Sequence, residues 1–156
     1  MELTILVIDP IATEHSDFYR NYLGKDATQH WKDRWKNETK VSKITLIEST
    51  NIVDGLEKLK SNPSINLIIV ADYLPEDKAK AETWDIDFEF IGLKFNGAVF
   101  IRQLRNLFKG PIIGVTSDRF HQTVKPLKEA GATYVHCKLG VWETLLNIMK
   151  VDGLNF

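Results

Sequence analysis

The sequence predicts one α/β domain built on an open parallel sheet, doubly wound with helices on both faces, and three observations carry that reading. Strand-like runs at residues 3–8, 43–47, 67–71, 112–115 and 133–137 are too short for helices and rich in β-branched residues. Segments with apolar residues at helical spacing separate them, and parallel strands need such crossover connections. Polar residues cluster where the strands end: Asp9, Glu48, Asp72, Thr116 with Ser117, and Lys138. In open α/β sheets that carboxyl edge is where ligands and chemistry sit.

The central element is Leu67-Ile68-Ile69-Val70-Ala71, five apolar residues that suit a strand buried on both faces. Asp72 follows it, and Pro75 stops strand and helix alike. The first run repeats this layout in miniature at Asp9-Pro10. Thr13 or Ser16 can cap a helix carrying Phe18, Tyr19, Tyr22 and Leu23 on one face, with Gly24 placed to end it. Residues 25–43 turn polar and read as an insertion or a helix extension, whose Trp31 and Trp35 sit four apart and suit packing onto the domain.

Glu48-Ser49-Thr50 reads as turn and cap before a helix with Ile52, Val53, Leu56 and Leu59 inward. A second insertion spans 76–96, where Trp84, Ile86, Phe88 and Phe90 alternate with Asp85, Asp87 and Glu89, the period of a strand. Its apolar row, if exposed, would suit a partner or a homodimer; its acidic row reads as a solvated face. Asn96-Gly97 leads into a helix with Val99, Phe100, Ile101, Leu104 and Leu107 inward and Arg102 and Arg105 on its wet side. The remaining helices are expected over 121–130, despite Pro126, and around Trp142 to Met149. In the last strand one of His136 and Cys137 should be core and the other packed on a helix. Residues 1–150 form the expected domain and 151–156 a loosely held tail.

Composition narrows the function. With 156 residues, 44% hydrophobic and 26% charged, the chain is an ordinary globular domain with no apolar run long enough to span a bilayer. A net charge of −1 with scattered signs gives no electrostatic case for nucleic acid. One cysteine, Cys137, and no export signal at Met1 point to the cytoplasm. No Gly-rich phosphate loop follows any strand. The edge residues suit another chemistry: a carboxylate can attack phosphorus to give an acyl phosphate if cations and donors hold the transferred oxygens.

Taken together, the segments Leu6-Val7-Ile8-Asp9, Ile68-Ile69-Val70-Ala71-Asp72-Tyr73, Asn96-Gly97, Pro111-Ile112-Ile113-Gly114-Val115-Thr116-Ser117 and Ala130-Gly131-Ala132 through Lys138 resemble the receiver domain of two-component response regulators. The resemblance implies a flavodoxin-like (βα)5 sheet in the order 2-1-3-4-5. It implies a signalling domain, not an enzyme, in which Asp72 accepts a phosphoryl group from a histidine kinase or phosphotransfer protein and switches binding of a downstream protein partner. Thr116 and Lys138 would bind the phosphoryl group, and Mg²⁺ would sit near Asp9, Asp72 and the carbonyl of Leu74. Four positions depart from the family pattern. Pro10 stands where a second acid is usual, which removes a metal ligand, and Glu14, Glu48 or Glu76 would have to replace it. Pro75 comes one residue early, Leu139 follows the lysine in place of proline, and Val135 occupies the usual aromatic position, with Tyr134 beside it. These departures frame an alternative: a phosphorylation-independent pseudo-receiver acting as a protein interaction module.

Overall fold

The structure, a computed structural model, describes residues 1–13, 17–74, 97–116, 123–138 and 140–151. The alternating segment 84–90, Pro75, Ser117, Glu14, Glu76 and the tail beyond 151 lie outside them. The apolar runs form β1 (Glu2–Ile8), β2 (Lys43–Ser49), β3 (Leu67–Ala71), β4 (Ile112–Thr116) and β5 (Tyr134–Cys137). All four pairings are parallel and the strand order is 2-1-3-4-5, the flavodoxin-like arrangement that the resemblance implies. β3 and β4 are buried at every position, which is why both read as unbroken apolar runs. β5 lies at the sheet edge and is half-buried throughout, so neither His136 nor Cys137 is core, contrary to the sequence expectation. The His136 ring instead places Nε2 2.9 Å from the Thr144 hydroxyl.

Six helices are present among the described residues: α1 (Asp17–Arg20), α2 (Gln29–Glu38), α3 (Ile52–Ser61), α4 (Gly97–Leu107), α5 (Val124–Ala130) and α6 (Val141–Val151). Five were expected; the sixth is α2, because the 25–43 insertion builds a helix of its own. α1 is also shorter than its apolar spacing suggests, giving way to turns before Gly24, whose φ of +81° is left-handed. β2 runs two residues further than expected, so the cap of α3 falls on Asn51, whose side chain accepts from the Asp54 N–H at 2.9 Å. α5 starts at Val124, after Thr123, and Pro126 falls in its first turn, where its missing N–H costs no helical bond.

The insertion docks through aromatic rings. Tyr22 stacks on Trp142 of α6 at 4.9 Å between centroids and meets Trp31 edge-on at 5.1 Å, while the Trp35 indole N–H donates to the Tyr22 carbonyl at 2.8 Å. The tryptophan pair therefore packs α2 onto the domain, as its spacing suggests. Ion pairs close the same seam: Arg34 binds Glu38 at 2.7 Å and also Glu143, and Lys150 reaches Glu38 at 2.5 Å. Hydrogen bonds from Arg34 and then Lys150 hold the Glu38 carboxyl down at about 2, against an ordinary 4.5. A depressed carboxyl pKa contributes stability that is present above the unfolded pKa and lost as pH falls through the folded one. Glu38→Gln should accordingly flatten the fall in melting temperature between pH 4.5 and about 2; the comparison of the two melting curves checks it.

Arg105 departs from its expected wet position. It is partly buried, and its guanidinium donates to the carbonyls of Gly131 at 2.7 Å and Gly110 at 2.5 Å and to the Thr133 hydroxyl at 3.0 Å. Burial lowers its pKa. The side chain thereby ties the end of α4 to the turns that open β4 and β5.

Candidate functional site at the carboxyl edge of the sheet

Asp9 and Asp72 each follow the last residue of a central strand, Thr116 ends β4, and Lys138 follows β5. Backbone bonds extend the ladder past the strand ends and fix these positions: Asp72 N–H to Val115 O at 3.0 Å, and Lys138 N–H to Thr116 O at 2.9 Å. The four residues meet as two adjoining groups.

In the first group Asp9, fully buried, takes the Lys138 ammonium at 2.9 Å on Oδ2 and 3.2 Å on Oδ1. Oδ2 also accepts the Tyr19 hydroxyl at 2.6 Å, and Oδ1 the Ile11 N–H at 3.1 Å. Tyr19 is 1% exposed, its ring held edge-on by Phe18 at 5.0 Å and Trp142 at 5.4 Å. Burial first, and then the Asp9 charge, push the phenol well above its ordinary pKa, so it remains a donor. In the second group Asp72, 6% exposed, accepts the Thr116 hydroxyl on Oδ2 at 2.6 Å. The Thr123 hydroxyl, also buried, donates to Thr116 Oγ1 at 2.8 Å, completing a short relay onto the carboxylate.

Sequence reading finds Asp9, Asp72, Thr116 and Lys138, and the structure brings them together. It misses Tyr19 and Thr123. Tyr19 reads as one more apolar position on its helix, yet a buried tyrosine needs a hydroxyl partner, and that requirement was its signal. A helix expected from 121 places Thr123 inside it, whereas Pro126 as a first-turn residue places Thr123 at the helix entrance.

The arrangement does not fit a divalent cation as the residues stand. Both Asp9 oxygens are engaged, and an internal ammonium already balances the carboxylate. Glu48 pairs through Oε1 with Arg20 at 2.7 Å, while its buried Oε2 has no hydrogen-bond partner among the described residues. Among the described residues no three His, Cys, Asp or Glu side chains gather into a metal site. Leu74 is 1% exposed, with its side chain in the core. No helix among the described residues is long and apolar enough to cross a membrane.

No family model and no curated protein matches this sequence. Solved structures do. The chain is similar to the RcsB response regulator of Salmonella typhimurium, at 12% identity over 94% of this chain and 57% of that one, with a TM-score of 0.59. It is similar to a two-component response regulator from Clostridium difficile at 19% identity, 94% of both chains and a TM-score of 0.56. The response regulator domain of Thermotoga maritima CheB matches at 10% identity over 100% of this chain and 98% of that one, with a TM-score of 0.55. This chain thus spans just over half of the Salmonella protein and nearly all of the other two. Its five-stranded parallel sheet in the order 2-1-3-4-5 is the fold of response-regulator receiver domains.

Proposed function

We propose that the chain is a receiver-type signalling module in which Asp72 accepts a phosphoryl group. The observation that carries this is the Asp72 carboxylate at the end of the central strand, bonded to Thr116 and flanked by the Asp9–Lys138 pair. With Oδ2 held by the Thr116 hydroxyl, Oδ1 attacks the phosphorus of a donor. The new O–P bond forms as the bond from phosphorus to the donor breaks, and the leaving group keeps that electron pair. The product is an acyl phosphate carrying additional negative charge beside Lys138.

That charge competes with Asp9 for the lysine ammonium and with Asp72 for the Thr116 hydroxyl. Both groups would turn toward the phosphoryl oxygens, shifting the ends of β4 and β5. Such a shift is the means of switching a downstream partner, with a histidine kinase or phosphotransfer protein as donor. Magnesium, implied by the resemblance, enters no step here, because before phosphorylation both Asp9 oxygens are bonded to Lys138, Tyr19 and the Ile11 N–H.

Borohydride reduction tests the assignment. After incubation with acetyl phosphate, an acyl phosphate on Asp72 is reduced to a homoserine at that position, detected by peptide mass mapping. A modified peptide elsewhere, or none, counts against the assignment.

A further inference from the structure

Two hydroxyls face the same oxygen of Asp72. Thr116 donates to Oδ2 at 2.6 Å, while the Thr123 hydroxyl stands 2.8 Å from Thr116 Oγ1 and 3.4 Å from Oδ2 itself. All three residues are buried, Thr123 to 1% exposure, so a hydrogen bond lost here is not readily replaced by solvent.

Thr123 precedes α5 at the position where a threonine hydroxyl ordinarily caps a helix, yet it makes no capping bond. Its backbone is already helical, with φ −97° and ψ −9°, whereas a capping side chain works from extended backbone. The helix fixes that backbone in turn. The Thr123 carbonyl accepts the Leu127 N–H at 3.1 Å, and Leu127 packs on Gly114 of β4, where an added Cβ would meet its Cδ1 at 3.2 Å. The hydroxyl is thus unused by the helix and is delivered to the Asp72 cluster on a fixed backbone.

Formation of an acyl phosphate changes what Oδ2 requires. Oδ1 then carries the phosphoryl group, Oδ2 becomes the carbonyl oxygen, and the Thr116 hydroxyl turns away toward the phosphoryl oxygens. We propose that Thr123 is a positioning residue that takes the place of Thr116 on Oδ2, its hydroxyl serving Thr116 before phosphorylation and the acyl carbonyl after it. The exchange needs the 3.4 Å separation to close to the roughly 2.8 Å of an ordinary O–H···O bond. Without the Thr123 hydroxyl, Thr116 serves the phosphoryl group only by leaving a buried carbonyl oxygen unpaired. The inference rests on Asp72 being the phosphoacceptor, and it adds which group frees Thr116 for that task.

Two substitutions test it: Thr123→Val keeps the branched shape and removes the hydroxyl, and Thr123→Ser keeps the hydroxyl. Wild type and both variants are incubated with acetyl phosphate, and intact-mass time courses give the rate of phosphoryl gain and, after the donor is removed, the rate of its loss. Thermal unfolding is followed beside them. The ratio of gain to loss should be about tenfold lower in Thr123→Val, the worth of one buried hydrogen bond, and within about twofold of wild type in Thr123→Ser. A role confined to packing would lower the melting temperature and leave that ratio unchanged; this outcome overturns the inference, as does a serine variant no better than the valine one. Threonine-methyl NMR of the wild type needs no variant to fold. Phosphorylation should shift the Thr123 methyl signal together with that of Thr116, and an unmoved Thr123 signal would overturn the inference. Failure of the wild type to gain any phosphoryl group would instead remove the phosphoacceptor reading, and this one with it.

Discussion

Gly97→Ala should destabilise the fold by about 3 kcal/mol or more, or prevent folding altogether. A Cβ at Gly97 would lie 2.1 Å from the Ala71 carbonyl oxygen and 2.9 Å from the Asp72 Cα. These are backbone atoms of the central strand end, so no side-chain rotation relieves the clash. The Gly97 N–H also donates to the Asp72 carbonyl at 3.0 Å, so the displacement would fall on the residue proposed as phosphoacceptor. Denaturant unfolding measures the loss. A midpoint within error of wild type would show that α4 is not seated against the Asp72 backbone as described.

The second large effect is expected from the ion pair. Lys138→Met should cost about 3–5 kcal/mol, because it leaves the fully buried Asp9 carboxylate without its ammonium. Tyr19 and the Ile11 N–H remain as partners, and they moderate the loss without supplying charge. Asp9→Asn should cost less, since the lysine side chain is 19% exposed and its ammonium can turn to water. The double substitution should cost less than the sum of the two, as coupled neighbours do. Strict additivity in that cycle would mean the two groups do not interact in solution.

The sequence carries the sheet well and the helix ends poorly. β3 was readable to the residue because Leu67 to Ala71 is buried at every position, and burial on both faces leaves an unbroken apolar run. The strand order follows from the resemblance, and parallel pairing from the alternation of strands and helices. α2 was ambiguous because its long polar face hides the few residues that dock it, and what decides between insertion and extension is the stacking of Tyr22 on a tryptophan 120 positions away. Arg105 shows the same limit. Helical spacing puts it on the wet side, but besides the nearby Gly110 carbonyl it satisfies that of Gly131, in a turn that only the tertiary structure brings near.

At the site, side chains placed by strand ends were legible, because a strand's carboxyl end has one location in this architecture. Tyr19 reaches the site from α1 and Thr123 from the residue just before α5, and where such side chains point depends on docking that no local pattern encodes. The magnesium expectation came from the resemblance, and it sits uneasily with an Asp9 whose oxygens are bonded to Lys138, Tyr19 and Ile11. Pro10 was the visible sign of that difference.

The most direct test of the account is an intact-mass spectrum of wild type and Asp72→Asn after incubation with acetyl phosphate in magnesium-containing buffer. A gain of one phosphoryl group is expected in the wild type and none in the variant. An equal gain in both, or no gain in the wild type under conditions that label an established receiver, would contradict it and leave the fold as a phosphorylation-independent interaction module.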